Sequence, residues 1–173
     1  LAPMLLASAL VACADGGDGP DEPAPEEDLA SVSSEVAVGT TSVCLTRPGG
    51  TTVRADNAVI VAGASTSVAD DVVVSAGATQ RPATNGMRQY VESGGLLVTG
   101  GNAFEIFVAA GGRAELTGGN VNNVWVAANG TLTCTALGNA GVIHFAPGAI
   151  LQGCAGKAQL IQESVTTTFR RCP

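Results

Sequence analysis

Few residues of this chain are placed to do chemistry. His144 is the single histidine, and it falls where the surrounding pattern predicts a core position. A general base needs a reacting partner within hydrogen-bond reach, and neighbouring sequence implies no Ser or Cys for it. His144 therefore reads as a structural residue. Asp70 and Asp71, with Asp56 upstream, are the clustered carboxylates of the body. Calcium takes about six to eight oxygen ligands, and no Gly-Asp nonapeptide repeat is present, so these residues read as corner or cap positions. The cysteines lack CxxC spacing, which disfavours zinc, and the paired glycines lack the strand, turn and helix of a phosphate loop. No metal and no cofactor is expected.

Two other sets have functional potential. Beyond Cys13 the chain contains Cys44, Cys134, Cys154 and Cys172, and an even count in an exported chain favours two disulfides. Three connectivities are open. Cys154 and Cys172 lie one repeat apart and suit adjacent turns, whereas Cys44 with Cys172 would tie the two ends together. The aromatic set is Tyr90, Phe107 and Trp125, in one column with Val72 and Ile143. If that column points outward, it offers a platform for a sugar ring or a partner protein. Alternatively it is a ladder that stabilises neighbouring coils by about 0.5–1.5 kcal/mol per pair, or one covered by a cap or loop. The structural alternative is preferred, and the three aromatics are the candidate ligand-binding residues.

A repeat must position these residues. Gly77, Gly95, Gly112, Gly130 and Gly148 are spaced by 18, 17, 18 and 18, and Asn85, Asn102, Asn120 and Asn139 by 17, 18 and 19. The best units read GNAFEIFVAAGG from Gly101, GNVNNVWVAANG from Gly119 and GNAGVIHFAPG from Gly138. At about 3.3 Å per residue, such a unit is too long for one strand but suits two or three short strands with corners. Stacking these units brings like residues about 4.8 Å apart. Gly supplies the backbone of a sharp corner, and Asn can join an amide ladder along the stack.

Alternation then assigns an inward face. Val73, Val91, Val108, Val126 and His144 form one expected core column, and Thr79, Leu97, Ala114, Leu132 and Ile150 another. Ile106, Val124 and Val142 extend the first. The pattern degrades before Gly77 and after Cys154, as expected for end caps. The predicted fold is all-β, a short right-handed parallel β-helix of about five to six coils with roughly 18 residues per coil.

Composition agrees. Aromatic content is 3%, and abundant Gly, Ala, Val and Thr suit turns and β-branched strands. The residues before Cys44 carry eight of the fifteen carboxylates, and all eight Lys and Arg follow it. The low isoelectric point thus belongs to residues 14–42, an acidic Pro/Gly-rich stretch that reads as a disordered tether. The body, residues 43–173, is close to neutral, which excludes the basic stripe of a nucleic-acid binder.

Residues 1–13 read LAPMLLASALVAC. The apolar run is too short to span a bilayer, and its end, Leu10-Val11-Ala12-Cys13, resembles a bacterial lipobox. That resemblance implies lipidation at Cys13, a membrane partner through the lipid anchor, and a place in the cell envelope, at the outer membrane or cell surface. Over about residues 59–156 the repeat resembles the Gly- and Asn-rich β-helices of autotransporter adhesin passengers and of small repeat domains in bacterial lipoproteins. The expected function is a non-enzymatic envelope lipoprotein, structural or adhesive, whose partner is a glycan or a surface protein. A carbohydrate-binding module using the aromatic column is the alternative. A small polysaccharide-active enzyme is disfavoured because no acid/base pair is legible.

Overall fold

A computed structural model describes residues 37–65, 71–81 and 86–173 of the chain. Cys13, the signal segment, Asp70 and Asn85 lie outside the described residues. Two long strands come first, β1 (Ala37–Thr46) and β2 (Thr52–Val61), followed by β3 (Ala64–Ser65), β4 (Asp71–Val74) and β5 (Thr79–Gln80). The regular coils follow as β6 (Gly86–Val91), β7 (Leu96–Thr99), β8 (Ala103–Val108), β9 (Arg113–Leu116), β10 (Val121–Val126) and β11 (Thr131–Cys134). The last elements are β12 (Ala140–Phe145), β13 (Ile150–Gln152), β14 (Gln159–Gln162) and β15 (Thr168–Arg171).

Even-numbered strands from β2 to β14 stack in parallel to form sheet one, and odd-numbered strands from β3 to β13 stack in parallel to form sheet two. The result is an all-β solenoid of about five turns, roughly 17 residues apart. Like positions meet in successive coils, as the repeat requires. The asparagines do link successive coils, through backbone rather than side-chain donors: the Asn120 backbone N–H donates to Asn102 Oδ1 and the Asn139 backbone N–H to Asn120 Oδ1, both at 2.9 Å. Gly119, just before the ladder residue, sits at φ +71°, and a side chain there would overlap the Gly101 carbonyl.

The corner corrects the sequence reading. The residue in the left-handed region is Gly77, Gly94, Gly111, Asn129 and Gly148 in successive coils, each linked to the next by a backbone hydrogen bond of 3.0 Å. Gly95, Gly112 and Gly130 occupy the next position, where a Cβ would fall 2.6–3.0 Å from carbonyl oxygens of the preceding coil. Ala78 and Ala149 fill that position at the ends. The glycine column seen in sequence therefore mixed two corner positions, and the end coils were read one residue out of step.

In the middle coils Val91, Val108, Val126, Leu97, Ala114, Leu132, Ile106 and Val124 face the core as expected. In the end coils Val74 and Phe145 replace Val73 and His144 in that register, Gln80 and Leu151 replace Thr79 and Ile150, and Val72 and Ile143 turn inward. Val142 is in register with Asn123 and only half-buried. A slip of one residue exchanges the two faces of a strand.

A second core lies outside sheet one. Only Val59, Ile60 and Val61 of β2 pair with β4, while the strand pairs along its length with β1. Asn57 at φ 64° and shifts of register opposite it mark a bend. Beyond the bend, Val43 and Leu45 of β1 and Phe169 of β15 pack against Tyr90 and Phe107. Residues 37–42, read from sequence as tether, are the first part of β1. Their small and polar side chains resemble linker, and only pairing with β2 makes them strand.

The four cysteines form two pairs. Cys44–Cys172 joins β1 to the chain just beyond β15, tying the two ends, and Cys134–Cys154 links adjacent coils. Cys154 does not pair with Cys172.

Candidate functional site

The candidate site is the column Val73, Tyr90, Phe107, Trp125, His144 and Ile161, one residue per coil on the outer side of sheet one. Parallel pairing in register forces these side chains to stack. Tyr90 and Phe107 lie 5.2 Å apart and 13° from parallel, Phe107 and Trp125 6.4 Å and 6°, Trp125 and His144 3.9 Å and 11°. The ladder expected from sequence exists and has one more ring than expected.

It is not an open platform. After β14 the chain turns back across sheet one, and residues 163–172 run from the last coil to the first as a strap. Glu163 meets His144, Thr167 and Phe169 line a small cavity together with Val108, Ala109 and Ala127, and β15 pairs with β1. Tyr90 and Phe107 are 0% and 1% exposed, whereas Trp125 and His144 are half-buried. Of the three candidate ligand-binding residues, only Trp125 retains a surface. Burial, with the Asp71 carboxylate adding to it, pushes the Tyr90 phenol well above its ordinary range, so it stays neutral. Its hydroxyl feels the Arg88 guanidinium but makes no hydrogen bond of good geometry among the described residues.

Charged side chains fasten the cover. Glu105, buried at the edge of the ladder, is reached by Arg88 at 3.4 Å and by Arg47, from the turn between β1 and β2, at 3.8 Å. Arg88 also reaches Asp71 at 3.3 Å. Arg171 of the strap grips Glu92 through two nitrogens at 2.7 and 2.8 Å and reaches the Ser75 hydroxyl at 2.8 Å. A bidentate guanidinium–carboxylate contact fixes geometry as well as charge. The hydrogen bond to Glu92 raises the Arg171 pKa.

His144 differs from the expectation in two respects. It is an outer ladder ring rather than a core residue, and it has a partner: its Nδ1 lies 2.6 Å from Glu163 Oε1. Glu163 was not singled out from sequence because it lies beyond the last recognisable repeat. The separation of 19 residues, one coil, is the signal that could have found it. As chemistry, the pair is a carboxylate orienting an imidazole, the arrangement that prepares a base. Here Trp125 stacks on the ring and Ile161 follows it in register, so neighbouring coils flank the imidazole on both sides.

Of the carboxylates singled out from sequence, the two among the described residues, Asp71 and Asp56, have separate partners. Asp71 pairs with Arg88, and Asp56 accepts from Ser42 and Arg54 at the β1–β2 hairpin, contacts that lower its pKa. No group of three His, Cys, Asp or Glu among the described residues is arranged to hold a metal ion. Elsewhere, a shallow polar groove of about 260 Å³ on sheet two is lined by Arg113, Glu115, Thr131, Thr133, Ile150 and Gln152. No protein-family model, curated protein or solved structure matches this chain.

Proposed function

We propose that the chain is a non-enzymatic lipoprotein of the bacterial envelope, held to a membrane at Cys13 and presenting the solenoid as a rigid structural or adhesive module. The observation that carries this reading is the strap: the aromatic surface a ligand would need is mostly enclosed and stabilises the domain instead. Two disulfides suit an oxidising compartment, and the acidic, proline-rich stretch after Cys13 suits a spacer between membrane and module. The lipobox resemblance and the likeness to right-handed adhesin β-helices support the same reading.

Labelling with palmitate in a bacterial host tests it. The wild-type chain should take up label and sediment with membranes, whereas Cys13→Ser should lose both. An unlabelled wild-type chain would end the lipoprotein reading. A carbohydrate-binding module remains the second reading, favoured by the exposed portion of Trp125 and His144. For that reading, Trp125→Ala should abolish signal on a glycan array while leaving circular dichroism unchanged. Equal signal from both proteins would exclude it.

A further inference from the structure

The strap is fastened more firmly than it fits. Residues 163–167, between the contact with His144 and the start of β15, belong to no strand. Thr166 and Thr167 are each 3% exposed, yet their hydroxyls have no hydrogen-bond partner among the described residues. The same holds for Trp125 Nε1 on the ladder and for Glu163 Oε2. Buried polar groups in folded proteins are nearly always paired, and each one left unpaired favours any state in which water reaches it. Packing is incomplete as well. A cavity of about 190 Å³ lies between Thr167, Thr168 and Phe169 of the strap and Val108, Ala109 and Ala127 of the coils.

The bond that closes this cover is Cys44–Cys172, at the far end of the strap. The two disulfides differ in access. Cys134 and Cys154 are 2% and 1% exposed, whereas Cys44 and Cys172 are only half-buried. Exchange requires an attacking thiolate to reach a sulfur, so a reductant meets the bond of the strap first. The non-covalent fastenings near that end lie at the surface. Arg171 and Glu92 are 41% and 25% exposed, and water and salt screen such a pair. β15 is a strand of four residues at the edge of sheet one, the kind of place where local opening costs least.

We propose that Cys44–Cys172 is a redox latch: reduction by a dithiol lets the strap open reversibly and uncovers Trp125 and the adjoining edge of the ladder. One thiolate of the reductant attacks Cys44 or Cys172 and forms a mixed disulfide, which the second thiol of the reductant then resolves. The reductant leaves as its own disulfide. Two electrons and two protons pass to the protein, and Cys44 and Cys172 end as thiols. Cys134–Cys154, buried in the coils, stays closed, so the solenoid persists while its cover changes state. Neither the anchor at Cys13 nor any ligand is needed for this. The oxidised chain is a sealed module, and the reduced chain is the same module with a face of stacked rings open to solvent.

Trp125 is the sole tryptophan, so its collisional quenching reports on the strap directly. The full chain carrying Cys13→Ser is titrated with dithiothreitol, the thiols formed are alkylated and located by mass spectrometry, and acrylamide quenching of Trp125 is followed alongside. Cys44 and Cys172 should become alkylated at least about tenfold faster than Cys134 and Cys154, because access controls exchange. With that first reduction the quenching constant should rise at least about twofold while circular dichroism stays unchanged, as local opening requires. Reoxidation should restore the original value. Cys134→Ser/Cys154→Ser should keep the response to dithiothreitol, and Cys44→Ser/Cys172→Ser should quench readily from the outset and show none. If either variant fails to fold, the chain with all four cysteines decides alone. Earlier reduction of Cys134–Cys154, quenching unchanged once Cys44 and Cys172 are thiols, or circular dichroism lost with that first reduction overturns the proposal. So does a response that persists in Cys44→Ser/Cys172→Ser.

Discussion

Replacing Cys44 and Cys172 together by serine is expected to lower the melting temperature by about 10–20 °C. The two cysteines are 128 residues apart in sequence, so the bond constrains nearly the whole domain in the unfolded state. Chain entropy values a loop of that length at about 4–5 kcal/mol, a large fraction of the about 5–15 kcal/mol by which domains are stable. Cys134–Cys154 closes a loop of only 20 residues, for which the corresponding value is about 3 kcal/mol. The two removals should also differ in kind. Without the first staple, the strap is held by β15–β1 pairing, the packing of Phe169 on Tyr90, the Arg171 contacts with Glu92 and Ser75, and the His144–Glu163 contact. Trp125 is the sole tryptophan, so its fluorescence should change below the temperature at which circular dichroism reports melting. In the Cys134/Cys154 variant the two signals should stay together. Coincident transitions in both variants would mean that the strap holds without its disulfide.

What sequence could reveal follows from what repeats. Asn102, Asn120 and Asn139 were legible as a ladder because each coil satisfies the same backbone amide in the same way. The ring column was legible for the same reason. Coils of unequal length were harder. Corner spacings of 17, 17, 18 and 19, from Gly77 to Gly148, shift the end coils by a residue, and a strand has no tolerance for that shift. His144 and Ile150 were therefore assigned to the wrong face. Gln80 and Gln89 are fully buried in the inward columns, polar side chains that an apolar pattern would not place there. The strap was opaque in a different way. Glu163, Phe169 and Arg171 belong to no repeat, and their partners lie 19 to 96 residues away in sequence. Sequence could state that the ladder had an outer face, but only the return of the chain decides that the face is covered.

Phe107→Ala is the substitution that measures this covering, and it is expected to cost about 3–5 kcal/mol. Phe107 is 1% exposed, with Tyr90 at 5.2 Å on one side, Trp125 at 6.4 Å on the other, and Val43 and Leu45 in the cluster around it. Truncation leaves a void that parallel strands in fixed register cannot close. Phe104, on the same strand, is 44% exposed, so Phe104→Ala should change stability by about 0.5 kcal/mol or less. On a bare platform both phenylalanines would give the small value, and denaturant unfolding of the two variants distinguishes the cases. The staple adds a sharper criterion. If the strap supplies much of the packing around Phe107, the cost of Phe107→Ala should shrink by about 1 kcal/mol or more in the Cys44→Ser/Cys172→Ser background, because contacting elements are not additive. Strict additivity would mean that the ladder draws its stability from the coils alone, and that the strap could leave it without penalty.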